Sequence, residues 1–193
     1  MTISEIKLEP TIANRRSPRA FDPNRKVSDN SINQLLEAAR WAPSSSNTQP
    51  WRFILGKKGD ETHQKIAAAL SEGNRIWAEN APLLILAVTQ EEGERGPQRY
   101  AWHDLGLATS QMIHQASAME LYVHMMAGFS KDQARAAFEI PAAFAPITTI
   151  AIGYLGDISN LPEKLQERER APRIRKALEE IAFQGSWGEP LIK

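Results

Sequence analysis

Apolar residues fall into two kinds of spacing along this chain. In some segments they recur every three or four positions, and in others they run unbroken. Ile32, Leu35, Leu36 and Ala39 share one face of a helix that Ser28 can cap and that stops before Pro43. "WRFIL" (51–55) reads as a strand, "KKGD" (57–60) as a turn, and "DETHQKIAAALSEG" (60–73) as one helix ending near Gly73. "APLLILAVT" (81–89) has no polar residue before Thr89, the pattern of a strand covered on both faces. After the polar loop "QEEGERGPQR" (90–99), the alanine-rich stretch from Tyr100 to about Met119 predicts a long central helix with Leu105, Ala108, Met112 and Ala116 on one side. "LYVHMMAGF" (121–129) reads as a strand entering a turn at Ala127–Gly128, and Ser130 with Gln133 as a capping box for a helix over 130–139. "ITTIAIGYLG" (147–156) is a further buried strand, and "PEKLQERERA" (162–171) is a charged helix that follows Pro162.

The two ends pattern differently. Residues 1–13 form a short lead-in, followed by the basic, proline-punctuated loop "NRRSPRAFDPNRKVS" (14–28). "PRIRKALEEIAFQGSWGEPLIK" (172–193) mixes basic, apolar and tryptophan residues without a period, too little pattern to bury itself alone. The expectation is a single domain over 1–193, mixed helix and strand, with an extended tail from about 165 that lies along another surface, a partner subunit's for choice.

Composition narrows the function classes. The 193 residues are 42% hydrophobic and 24% charged, enough for a real core. Lys plus Arg equals Asp plus Glu at 23 each, which argues against nucleic-acid or acidic-membrane binding and is compatible with self-association. The absence of cysteine excludes disulfides, thiolate metal sites, iron–sulfur clusters and cysteine nucleophiles. The N-terminal residues lack a basic region followed by an apolar stretch, and the run "APLLILAV" is too short to span a bilayer, so a cytoplasmic protein is expected.

Common catalytic sets are missing. There is no G-x-G-x-x-G or Walker loop, His63, His103, His114 and His124 lack metal-ligand spacing, and Ser44 to Ser46 lack the glycines of a nucleophile elbow. No metal site is expected. Two basic clusters remain, "RRSPR" (15–19) and "RIRK" (173–176). Guanidinium forks match phosphate oxygens, so the clusters either converge on one anion or form two solvated patches. "APSSSNTQPW" (42–51) packs hydroxyls and amides between a helix and a strand. Such groups suit a ligand with several polar edges, such as a ribityl chain or a flavin ring edge, and suit an elaborate turn before a Trp-anchored strand equally well.

"RRSPRAFDP", "LLEAARWAPSSSNTQPWRF", "MMAGF" and "APRIRKALEEIAFQGSWGE", in that order between about residues 14 and 190, resemble the FMN-dependent nitroreductase family. The resemblance implies an α+β, three-layer α/β/α fold with a mostly antiparallel central sheet, built as an intertwined homodimer with two FMN sites at the interface. It implies that reduced nicotinamide, NADH or NADPH, gives hydride to FMN, and that a small electron-poor acceptor then takes the same place. The flavin performs the chemistry, so no side chain is expected to be catalytic. By the same resemblance Arg15, Arg16 and Ser17 grip the FMN phosphate and ribityl side, Arg173 and Arg175 the phosphate, and Arg19 lies near flavin N1 and the C2 carbonyl. Pro43, Ser44, Ser45 and Asn47 would come from the other subunit, Ala127 and Gly128 would bring backbone toward N5, and Asn74 would be a flavin-contacting amide. One departure is visible: many relatives carry glycine in an A-x-G-L turn after the central helix, where this chain has Met119-Glu120-Leu121. In the loop 90–102, Tyr100 and Trp102 either stack on a substrate or anchor the helix start. The rival readings are another acceptor on the same fold, by enone reduction or reductive dehalogenation, and a non-catalytic flavin-binding module.

Overall fold

The computed structural model describes residues 7–94 and 96–191. The helical turn α1 (Pro10–Ala13) leads to helix α2 (Asp29–Arg40), strand β1 (Trp51–Lys57), helices α3 (Glu61–Ala69) and α4 (Glu72–Ala78), and strand β2 (Leu83–Gln90). A hairpin of β3 (Glu92–Gly93) and β4 (Gly96–Pro97) precedes the central helix α5 (Ala101–Ala118). Strand β5 (Tyr122–Met126), helix α6 (Lys131–Ala137), strand β6 (Phe144–Gly153) and helix α7 (Glu163–Arg170) complete the body.

The main sheet runs β1-β2-β6-β5 with every neighbouring pair antiparallel. The unbroken apolar run of β2 has a simple cause. Leu83, Ile85 and Ala87 face α2 and α5, while Leu84, Leu86 and Val88 face α3, α4 and α6. Strand side chains alternate between faces, so a strand with helices on both sides must be apolar at every position. The helix faces match. Ile32, Leu35 and Ala39 of α2 and Leu105, Ala108, Met112 and Ala116 of α5 fill one layer, and Ile66 and Trp77 help fill the other. The result is the expected α+β three-layer arrangement.

The expected helix over 60–73 is two helices. Asp60 Oδ1 accepts from His63 N at 2.7 Å and starts α3, but Leu70 is extended (φ −65°, ψ 146°) and forms a bridge with Phe129. Ser130 N donates to Ala69 O at 2.8 Å, and Ser71 N to Gly128 O at 2.9 Å. These long-range bonds take the backbone groups that a continuous helix would have used, and Gly73 falls inside α4 instead of ending α3. The polar loop after β2 contains the small β3–β4 hairpin, and Arg95 lies outside the described residues. β6 begins at Phe144, three residues before the apolar run from Ile147. Of the capping box at Ser130, the hydroxyl half is present: Ser130 Oγ accepts from Gln133 N at 3.2 Å.

The turn after α5 accounts for the missing glycine. Leu121 N donates back to Ala116 O at 2.9 Å, the six-residue closure that ends many helices, and Glu120 carries the left-handed φ of 57° that this closure requires. An L-residue is strained there, whereas glycine is not. Glu120→Gly should therefore raise the unfolding free energy by about 1 kcal/mol. Denaturant titration reads this directly, and an unchanged or lower midpoint would contradict the assignment.

Candidate functional site

The two basic clusters meet. Arg173, on the chain leaving α7, donates through Nη1 to Arg15 O and through Nη2 to Ala13 O, both at 2.7 Å. Arg15 Nη1 donates to Ser17 Oγ at 2.9 Å. Arg15, Arg16, Ser17, Arg19, Arg173 and Arg175 all line one cleft of about 530 Å³. Burial holds the Arg15 pKa below its ordinary value, and repulsion from Arg175 and Arg173 lowers it further. Guanidinium groups crowded in this way favour an anion between them.

Two side chains hold this loop in place. The His124 ring on β5 donates through Nδ1 to Pro18 O at 2.9 Å, since its partner is a carbonyl. The same ring packs on Trp77, with centroids 4.6 Å apart. The remaining anchor is Glu169, in the last turn of α7, whose side chain is only 3% exposed. Its Oε1 accepts from Arg19 N at 3.1 Å and Arg19 Nη1 at 3.0 Å, its Oε2 lies 3.5 Å from Arg16 Nη2, and its backbone O accepts from Arg16 Nη2 at 3.1 Å. Sequence reasoning missed Glu169, which looked like one charge of a solvated "ERER" run. One signal was available: an acid in the last turn of a helix opposes the dipole and needs a partner.

A second constellation surrounds the turn after β5. Asn74 Nδ2 donates to Gly128 O at 3.0 Å, beside the Ser71 N–H already bound there. A Cβ on Gly128 would come within 2.7 Å of Asn74 Nδ2 and 2.8 Å of Ser71 Oγ. Close packing, not positive φ, favours glycine at this position, because a Cβ would displace the Asn74 amide and the Ser71 hydroxyl. The break between α3 and α4 is what brings Asn74 here. Ala127 is exposed next to it.

The hydroxyl–amide ribbon occupies other ground. Ser44 Oγ accepts from Gln49 N at 3.0 Å, Ser45 N donates to Asp104 Oδ2 at 3.0 Å, and Gln49 Nε2 donates to Asn47 Oδ1 at 3.1 Å. Ser46, Asn47 and Gln49 have left-handed φ values of 50°, 55° and 47°. Each such residue costs about 1–3 kcal/mol and persists only where its surroundings enforce it, and such strain concentrates at ligand sites. Pro43, Ser45 and Asn47 are exposed. Ser45 lines a separate cleft of about 580 Å³ with Gln98, Tyr100 and Asp104. Asp104, on the first turn of α5 and 2% exposed, is the second anchor that sequence reasoning passed over. Within one chain, then, the arginine cluster is assembled and Asn74 joins Ala127–Gly128, while Pro43, Ser44, Ser45 and Asn47 belong to a different region.

Tyr100 and Trp102 are 62% and 54% exposed, so neither is a core residue. Trp102 is tied down: its Nε1 donates to Glu91 Oε1 at 2.6 Å and Lys131 Nζ lies 5.0 Å from its ring centroid. Tyr100 is the one that faces the ribbon cleft. The last segment is largely exposed, although Arg173 ties it to Ala13 and Arg15. Helix α7 packs Leu165 into the core, so the uncovered stretch starts at Ala171 and not near 165, and every residue from 171 to 180 is exposed. Ile174 at 82% and Trp187 at 93% are among the most exposed large apolar side chains. Ile192 and Lys193 lie outside the described residues, as do residues 1–6. Among the described residues no group of His, Asp and Glu could hold a metal ion, and no helix is long and apolar enough to cross a membrane.

Burial lowers the pKa of His124 below the usual histidine range against the opposing pull of its bond to Pro18; Arg19 lowers it further and Glu169 raises it. Burial lowers His63 as well. The folded chain therefore binds these protons less tightly than the unfolded chain. Stability is full above the unfolded histidine pKa of about 6.5 and is lost as pH falls below it. The denaturant midpoint should drop between pH 7 and pH 5.5, and His124→Gln should reduce that slope. A flat profile would contradict the buried, neutral histidines.

The sequence profile described as "Nitroreductase family" matches residues 12–76 and 70–154. The chain is 39% identical over 148 residues to an uncharacterized 15.4 kDa protein of Mycolicibacterium smegmatis, spanning 72% of this chain and 99% of that protein. It is 29% identical over 103 residues to an oxygen-insensitive NADPH nitroreductase of Helicobacter acinonychis, 53% of this chain and 48% of that enzyme. A crystal structure of an oxidoreductase containing FMN superposes with a TM-score of 0.90 at 36% identity, covering 96% of each chain.

Proposed function

Because this chain belongs to the nitroreductase family, we propose that it is an FMN-dependent NAD(P)H oxidoreductase that passes hydride to an electron-poor acceptor such as a nitroaromatic or a quinone. The observation that carries this reading is the meeting of Arg15, Arg173 and Arg175 with Ser17 in one cleft. A phosphate monoester brings nearly two negative charges and three acceptor oxygens. The donor set fits it: guanidinium forks, a hydroxyl, and a like-charge crowding that a dianion relieves.

Bound FMN supplies the two-electron chemistry, and the residues of this chain bind and orient it. Arg15, Arg16, Ser17, Arg173 and Arg175 hold the phosphate end. Arg19, whose guanidinium is held at one side by Glu169, supplies positive charge toward the ring. Ala127 and Gly128 present backbone to the ring, with Asn74 keeping the turn closed. The partner subunit's Pro43, Ser44, Ser45 and Asn47 complete the cradle, which agrees with their distance from the arginine cleft in the fold of one chain. Protons come from solvent. A tail with Ile174, Ile181 and Trp187 uncovered supports a homodimer in which each C-terminal segment lies on its twin. Use of reduced nicotinamide fits a cytoplasmic location.

The purified protein should be yellow, and NADH or NADPH should bleach it under anaerobic conditions. A yellow protein that neither donor bleaches would indicate a flavin-binding module, and a colourless one would remove the cofactor assignment. A panel of acceptors added to the pre-reduced protein separates nitro and quinone reduction from enone reduction and dehalogenation. Arg173→Ala with Arg175→Ala should weaken FMN binding at least roughly tenfold, since bonds to charged groups are worth about 1.5–3 kcal/mol each. Removing residues 172–193 should give a monomer in sedimentation that no longer holds flavin. A truncated chain that remains a yellow dimer would exclude that role for the tail.

A further inference from the structure

Seven arginines and a single carboxylate, Glu169, line the arginine cleft. The carboxylate is out of place in two respects. It sits in the last turn of α7, where the helix dipole opposes it, and its side chain is only 3% exposed, where an unpaired charge is costly. What it gains is a set of contacts like those a phosphate would make. Two oxygens face two guanidinium groups, and one also accepts a backbone N–H, that of Arg19 at 3.1 Å. Among the described residues, Arg15, Arg173 and Arg175 have no such carboxylate; Arg173 and Arg175 spend donors on backbone carbonyls and Arg15 on Ser17.

We propose that Glu169 is an internal counter-anion that stands in for part of the cofactor phosphate: it holds Arg16 and Arg19 in place in the flavin-free chain and competes for their charge with the bound cofactor, with its phosphate at Arg16 and with its ring at Arg19. The inference rests on reading this cleft as the FMN phosphate site. It makes Glu169 a positioning residue with two opposed effects. Its charge lets the loop 15–19 close on α7 before any cofactor arrives, and the same charge repels the phosphate that arrives later. Removing it should make the empty protein less stable and the anion more tightly held. A residue that only packed the loop would lower the stability of the empty and loaded proteins equally.

Glu169→Gln keeps the size and removes the charge. Thermal midpoints of the flavin-free full-length protein are measured in inorganic phosphate and in sodium chloride of equal ionic strength, and again with saturating FMN. Affinities for FMN and for riboflavin, which lacks the phosphate, are read by quenching of flavin fluorescence. The flavin-free variant should melt below the wild type, and phosphate or FMN, but not chloride, should restore most of the difference. The preference for FMN over riboflavin should rise roughly tenfold, the scale of one close charge pair in a partly buried site. Glu169→Asp, which keeps the charge, should keep the wild-type preference. Equal losses in the empty and loaded states, an unchanged or reduced preference for FMN, or a Glu169→Gln chain that stays unfolded in saturating phosphate each overturn the inference. A wild-type protein that binds riboflavin as tightly as FMN overturns the phosphate reading of the cleft itself, and this inference with it.

Discussion

Arg16 and Arg19 reach the same buried carboxylate from a loop that lies some 150 positions earlier in the chain than α7, on which Glu169 sits. That junction closes the molecule. It fixes the N-terminal loop against the last helix of the body and sets the direction in which the chain leaves toward Arg173 and Arg175. A buried ion pair of this kind does little for net stability against an apolar alternative, but removing one partner is costly because the other is left unpaired. The arrangement makes sense where positive charge has to be concentrated at one spot, as the proposed anion site would require in a protein whose formal charge sums to zero.

The rest of the fold supports that junction from a distance. The four-stranded sheet is covered on both faces, which makes β2 and much of β6 apolar and leaves the polar chemistry to strand ends and loops. His124 on the edge strand β5 reaches Pro18, so the arginine loop is fastened to the sheet as well as to α7. At the end of the same strand, the close packing of Gly128 against Asn74 and Ser71 joins the turn to α4. The two constellations share a strand, which gives them a rigid common base.

The ribbon 42–49 is built on a different principle. Three left-handed residues in close succession and the bond from Ser45 to Asp104 hold a strained, exposed backbone in one shape. Strain kept at a surface has to be enforced by its neighbours, and here a buried aspartate at the start of α5 does so. Such a pre-shaped edge, separate from the arginine cleft in its own chain, fits the proposal of a site shared between two copies.

The periodic segments were legible in the sequence. The face of α2, the unbroken run of β2, the stripe along α5 and the identity of all four strands of the sheet followed from spacing, because burial on one or two faces leaves a period that local pattern records. The family, and with it the layer order, followed from motifs that resemble known ones. The single helix over 60–73 failed because Phe129 and Ser130, about sixty residues later, compete for the backbone at Ala69 and Leu70. Glu169 and Asp104 were passed over for the same reason. A charged residue in a polar run and an aspartate beside a histidine look like solvent-facing groups until folding brings Arg16, Arg19 or the Ser45 amide against them. Spacing reports which face of an element is buried; which charge meets which across the molecule is decided only when distant segments close on each other, and the arginine cleft exists only in that closure.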